Sequence, residues 1–385
     1  MSKSLGNIIS PYEVIDKHGA DTLRYYLCQN RAGEDLNFSW DEITNKERYL
    51  NILWNVQKLL FSLTRENKFN PFEAKKGLEE DFGFEERYII SRLHRTVAQV
   101  TELMETYHLD EAIKPVEDLF LELSRNYVQL VREKSVSGDK KEKELCMLAI
   151  GRVLFDCLRL MAPLTPFVAE AIFLNLKEEY NLKEESIHHW AWPKSMKKYI
   201  DDEVEGEVVL AMSLIQAAMN GREKMNRGLR WPIAEAVVSS QDEKELRRLE
   251  KLEEMLKSQL NIKKMIFQKE LPSFVKRKVR ANYEHIKSDF GDLSPKVIAR
   301  LSIESPETIF GHIDKENGYD LLLDGQKARI TYQHLVIDRE VPATHTEGVF
   351  REGFVYLAKE TDEELEAEGF ARELMRATQQ MRKDC

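Results

Sequence analysis

A chain of 385 residues has room for two or three domains, since one domain takes roughly 100–200 residues. Its 42% hydrophobic and 32% charged residues fit a folded, soluble protein, and the lack of any apolar run of about 18 residues argues against a transmembrane span. The formal charge of −10 argues against indiscriminate adhesion to polyanions, although binding depends on the charge of one face rather than on the total.

The N-terminus, Met1-Ser2-Lys3-Ser4-Leu5-Gly6-Asn7, has no apolar secretory core and no Arg-rich amphipathic stretch, so a cytoplasmic location is expected. Ser10-Pro11-Tyr12-Glu13 predicts a capping box with Pro in the first helical position, and Gly19 is placed to end that helix. Asp21 is expected to cap a second short helix through Leu23, Tyr26 and Leu27. Long amphipathic stripes follow: Ile52, Val56, Leu59, Leu60 and Leu63; then Leu93, Val97, Val100 and Met104. Ile113, Val116, Phe120, Leu123, Tyr127 and Leu130 make a third, and Leu148, Phe155, Leu158 and Met161 a fourth, stopped by Pro163 and Pro166. Their 3.6-residue period predicts a helical bundle. A further short helix is expected from Phe167 to Leu176.

The periodicity lapses at Trp190-Ala191-Trp192-Pro193, and another helix begins near Asp202. Beyond Pro232, Ala236–Val238 and Met265–Phe267 read as short strands around a charged amphipathic helix, Asp242–Lys257, whose leucines are expected to pack rather than to zip. Asp324-Gly325 between Tyr319–Leu323 and Ala328–Tyr332 is a hairpin signal. A last helix passes Leu365, Phe370, Leu374 and Met381. The fold class expected is therefore mainly α: a helical bundle followed by a smaller α+β domain. Residues 1–45 are expected to be a loop remnant with connecting helices, 46–195 the bundle, and 196–385 the α+β part.

Cys28, Cys146, Cys157 and Cys385 include no Cys-x-x-Cys pair, and no His is spaced to complete a zinc site, so no metal is expected. Cys146 and Cys157, in apolar helical sequence, should pack as small hydrophobes. Charge is segregated along the chain. Lys263–Arg280 is basic but for Glu270, Arg222–Arg230 is basic but for Glu223, and Glu360–Glu368 is acidic.

Met1-Ser2-Lys3-Ser4-Leu5-Gly6-Asn7 with Gly19-Ala20-Asp21-Thr22-Leu23-Arg24-Tyr25-Tyr26-Leu27 resembles the second signature of class I aminoacyl-tRNA synthetases and the helix after it. Leu123–Tyr127 through Arg132-Glu133 and the Met161–Glu170 turn look like elements of that family's anticodon-binding bundle. Ser186-Ile187-His188 with Trp192-Pro193 resembles the bundle's exit. Gly221–Lys224, Leu229–Pro232 and Glu364–Leu374 are similar to the isoleucyl branch in its archaeal and eukaryotic form.

The resemblance implies an anticodon-binding domain and, for the whole enzyme, ATP-dependent attachment of isoleucine to its tRNA, with Mg²⁺ accompanying ATP. Lys3, helped by the Ser2 and Ser4 hydroxyls, would stabilise charge on the departing pyrophosphate. The chain lacks a His-x-Gly-His element and an editing domain, which the resemblance expects upstream of Met1, and it stops within a longer family helix. It is therefore expected to be an inactive fragment, a monomer with no cofactor bound and no membrane, whose partner is an isoleucine tRNA. Arg125, Arg132 and Lys134 are expected at phosphates of the anticodon stem, and Tyr127 stacked on a splayed base. Arg222, Lys224, Arg227 and Arg230 form a second expected tRNA contact. The alternatives are a valyl, leucyl or methionyl synthetase, or a stand-alone RNA-binding protein of synthetase descent.

Overall fold

The computed structural model describes residues 9–384 except 32, 76, 324 and 352. The chain divides into two compact units, Met1–Val208 and Val209–Cys385.

The first unit is helical. Two short helices, α1 (Pro11–His18) and α2 (Ala20–Cys28), precede α3 (Trp40–Asn67) and α4 (Phe84–Glu105). Then come α5 (Leu109–Glu122), α6 (Val128–Leu130), α7 (Arg132–Ser137), α8 (Lys140–Met161) and α9 (Pro166–Tyr180). Alternation of wide apolar stripes with charged faces drives the packing. Leu60, Leu93, Ile113, Val116, Phe120 and Leu158 have no exposed surface. The central helix is α8, most of whose residues are buried. Cys146 and Cys157 lie fully inside it as small apolar groups, and burial pushes both thiols up.

Three local expectations are corrected. Ser10 precedes α1 in extended conformation, but its side chain makes no capping bond. Asp21 does not cap α2, which starts at Ala20 behind Gly19. Its buried carboxylate instead accepts the Val168 N–H at 2.6 Å and so caps α9, whose own Thr165 makes no side-chain cap. The third stripe is not one continuous helix. α5 contains Pro115, and residues Leu123–Tyr127 form a π-helical turn before α6. A π turn inserts an extra residue into the ladder, and here Leu123 and Tyr127 both point inward while Arg125 is left outside.

α10 (Asp202–Lys224) leads into the second unit, which is α+β as expected. β1 (Ile233–Ser239), α11 (Glu243–Lys251), α12 (Glu253–Leu260) and β2 (Ile262–Gln268) form a unit in which β1 and β2 run parallel. Leu246, Leu249, Leu252 and Leu256 are buried, as packing rather than zippering requires. The chain then builds β3 (Lys276–Ala281), α13 (Tyr283–Phe290), α14 (Ser294–Leu301), α15 (Pro306–Glu316), β4 (Tyr319–Leu323), β5 (Gln326–Ile330) and β6 (Leu335–Glu340). This stretch closes its own core around Ile286, Val297, Ile309, Leu321 and Ile330. β7 (His345–Phe350) and β8 (Gly353–Ala358) return to complete a sheet of order β2-β1-β8-β7, antiparallel at β1/β8 and β8/β7. α16 (Glu363–Asp384) ends the described chain.

Among the described residues no helix is long and apolar enough to cross a membrane, and no group of three or more His, Cys, Asp or Glu could hold a metal ion.

Candidate nucleic-acid interface

Lys3, Ser2 and Ser4 lie outside the described residues. The other expected contacts sort by what surrounds each side chain. In the first unit, the π turn leaves Arg125 exposed, its guanidinium carbon 5.9 Å from the centroid of the partly buried Tyr49 ring. Lys46 approaches the same ring at 5.3 Å. Arg132, at the start of α7, is exposed.

Lys134 faces inward. Its ammonium meets both oxygens of the fully buried Glu86 at 2.9 and 3.0 Å, and Glu85 at 3.3 Å. Tyr127 has no exposed surface, and its hydroxyl donates to Glu86 at 3.3 Å. A ring with both faces inside the core offers nothing to a base, so the stacking role expected for Tyr127 is withdrawn. Lys134 neutralises a buried carboxylate that would otherwise be costly, and its expected phosphate contact gives way to that role.

The second unit repeats this division. Arg222 is 1% exposed and its guanidinium donates to four carbonyls: Gly228 at 3.1 Å, Trp231 at 2.9 Å, Leu260 at 2.5 Å and Asn261 at 3.1 Å. Burial, with the charge of Arg227 beside it, brings the group down to about 10, which still leaves it charged at neutral pH. Arg222 therefore ties the end of α10 to the turn before β1 and to the α12–β2 junction, and its expected tRNA contact is withdrawn. Lys224 is exposed, its ammonium donating to the Glu347 carbonyl at 2.8 Å. Arg227 lies 5.9 Å from the Trp231 ring and reaches the Lys359 carbonyl at 3.4 Å. Arg230 is exposed and pairs with Glu373 at 2.7 Å. The structure thus gathers Lys224, Arg227 and Arg230 along one surface turn, from α10 to Trp231, with Arg222 beneath it.

In the longer basic run, five of the seven cations have acidic partners. Lys263 pairs with Glu368, Lys264 with Glu235, Lys269 with Glu243, Lys278 with Glu340 and Arg280 with Asp338.

Two features escaped the sequence reading. Tyr49 lies on α3 without motif or run around it, and only the fold sets it beside Arg125. Glu117 is a buried hub: Lys46 donates to it at 2.9 Å, Tyr25 at 2.5 Å, Gln29 at 3.2 Å and Lys114 at 3.0 Å. Burial pulls this carboxyl up, but the bonds from Lys46, Tyr25 and Lys114 outweigh burial and hold it below its ordinary value. A glutamate every few residues is ordinary in such helices, so no sequence signal marks this one.

Residues 86–238 match the family model described as the anticodon-binding domain of tRNA ligase, and residues 1–39 match the class I tRNA synthetases (I, L, M and V). The isoleucine–tRNA ligase of Thermococcus kodakarensis is 34% identical over 386 residues, covering 100% of this chain and 35% of that protein. Those of Methanopyrus kandleri, at 34% over 389 residues, and Pyrococcus horikoshii, at 35% over 391, give the same coverage. The chain thus spans about a third of the length of the curated relatives it matches. Among solved structures, a chain of the LeuRS–tRNA–LeuAMS ternary complex from Agrobacterium radiobacter aligns with 52% of this chain and 23% of its own, at 20% identity and a TM-score of 0.40, a likeness too loose to carry weight.

Proposed function

We propose that this chain, homologous from end to end to isoleucine–tRNA ligases and matching the class I tRNA synthetase model over residues 1–39, is the tRNA-binding, anticodon-side portion of an isoleucine–tRNA ligase, acting in the cytoplasm. The observation that carries this is the identity of 34% over the whole chain, with the anticodon-binding family model falling on 86–238. In the whole enzyme the activity would be ATP-dependent attachment of isoleucine to its tRNA, with Mg²⁺ on the ATP. On this reading the chain alone binds tRNA and does not aminoacylate it. Lys3, Ser2 and Ser4, the residues here that would meet ATP phosphates, lie outside the described residues.

The tRNA contacts we assign are Arg125 and Arg132 in the first unit and Lys224, Arg227 and Arg230 in the second. All five reach the surface at least partly. Cations attract the RNA backbone regardless of sequence, and discrimination among tRNAs comes from unpaired loop bases.

The test is filter binding of the purified chain to an isoleucine tRNA transcript at two salt concentrations, beside a transcript with an altered anticodon. Preference for the unaltered anticodon, weakening with salt, is the expected result. A preference for valine or leucine tRNA would overturn the isoleucine assignment. No tRNA binding at any salt would overturn the reading itself.

A further inference from the structure

A cavity of about 570 Å³ opens in the first unit between the loop after α3, the middle of α8 and the segment leading to Trp190. That volume falls within the roughly 300–1,000 Å³ of small-molecule sites. Three aromatic rings line it. Phe72 meets Phe155 edge-on at 5.4 Å, and Phe155 meets Trp190 edge-on at 4.9 Å. The loop is held close because α8 carries Gly151 there, where a Cβ would come within 3.1 Å of Pro71.

Asp156 also lines the cavity; its side chain is 3% exposed and is flanked by two guanidiniums. Arg159 is locked: it pairs with Asp156, donates to the Ala191 carbonyl at 2.8 Å and lies 5.2 Å from the Phe155 ring. Arg152 is not. Its Nε sits 3.3 Å from Asp156, and its side chain remains 41% exposed at the cavity. Trp190 Nε1 and Arg159 Nε are buried without a hydrogen-bond partner.

A carboxylate between two arginines is a poor way to stabilise the middle of a helix, because taking the ions out of water offsets most of their attraction. It is a good way to aim guanidiniums. Aromatic faces beside an aimed arginine are how proteins take up unstacked bases of single-stranded RNA. Lys75, Arg152 and Arg159 outnumber Glu79 and Asp156 around the cavity, so an anion is tolerated there.

We propose that this cavity receives one unstacked nucleotide of the bound tRNA, its base against Phe72 and Trp190 and its phosphate on Arg152. The inference rests on the tRNA-binding reading above and adds a site to it.

The experiment uses the purified chain and isoleucine tRNA transcripts carrying 2-aminopurine at one anticodon-loop position at a time. Affinity is measured for the unaltered chain, Arg152→Ala, Arg152→Lys and Phe72→Leu, with thermal melts confirming that each variant folds. We expect fluorescence to change at one loop position on binding. In Arg152→Ala that signal should be lost and affinity should fall about tenfold, with Arg152→Lys recovering part of both. Phe72→Leu, which leaves the Arg152–Asp156 pair intact, should lose the fluorescence change while keeping most of the affinity. If tRNA binds the unaltered chain and all variants alike, with no position changing fluorescence, the cavity proposal is overturned while the tRNA-binding reading stands. Failure of the unaltered chain to bind tRNA overturns both.

Discussion

Single side chains here divide by solvent exposure rather than by type. Arg222 and Arg125 are both arginines in basic sequence surroundings, yet one is sealed under four carbonyls and the other lies on the surface. Arg222→Ala should cost about 3 kcal/mol or more, because it strips charged hydrogen bonds from buried acceptors. A urea midpoint shift would read it. Arg125→Ala should change stability by less than about 0.5 kcal/mol while weakening tRNA binding. Glu117 gives a pH prediction. Its folded value lies below the ordinary 4.5, so its stabilising contribution is complete above that value and is lost as pH falls through the folded value. Glu117→Gln should therefore destabilise the chain near neutrality by roughly 3 kcal/mol. It should also flatten the loss of stability below pH 4.5 that chemical denaturation shows for the unaltered chain. An equal acid slope in both proteins would remove Glu117 from that role. Local pattern offers only Lys114, three residues earlier on the same helix, whereas Lys46 and Tyr25 reach Glu117 from α3 and α2.

At the scale of elements, helix periodicity was legible, and so were the ends marked by Pro11, Gly19 and Pro163, but side-chain caps were not. The four apolar stripes became α3, α4, α5 with its π turn, and α8, because a stripe needs only a partner surface of the same kind. Caps depend on which donor is nearest in space, and Asp21 found α9 rather than its own helix. Asp21→Ala should cost about 1–2 kcal/mol through removal of the cap. Asp21→Asn should cost little, since an amide oxygen still accepts the Val168 N–H. Burial raises the Asp21 carboxyl, against the opposing bond from Val168, so ionised Asp21 strains the fold and stability gained from protonating it increases as pH falls toward 3.8. The Asn variant should lose that local gain, and melts between pH 4 and 7 would show it. The hairpin was legible from its turn chemistry and formed as β4–β5, its second strand starting at Gln326, two residues before the expected Ala328. The β7–α10 packing was not: a Cβ on Gly348 would stand 2.1 Å from the Ala217 carbonyl oxygen. Gly348→Ala should therefore destabilise the second unit by about 1–3 kcal/mol, visible as a lower melting temperature.

For the whole molecule, charge is the property that sequence described most incompletely. The chain carries a net −10, and five of the seven cations in its longest basic run, Lys263, Lys264, Lys269, Lys278 and Arg280, have acidic partners. Replacing Lys224, Arg227 and Arg230 together by Ala should reduce the slope of log affinity against log salt by about 0.7–0.9 for each phosphate that is no longer neutralised. An unchanged slope would place the RNA elsewhere on the chain. Sequence by itself determined the class of each half, the bundle before and the α+β part after, because hydrophobic period and turn chemistry are local properties. The likeness to class I tRNA synthetases was legible for a similar reason, through short motifs whose residues are neighbours in the chain. Only the tertiary structure decided which basic residues face water, which carboxylate caps which helix, and where Phe72, Arg152 and Trp190 meet around a cavity. Those outcomes depend on groups far apart in sequence competing for the same partners and the same burial, and no local pattern ranks that competition.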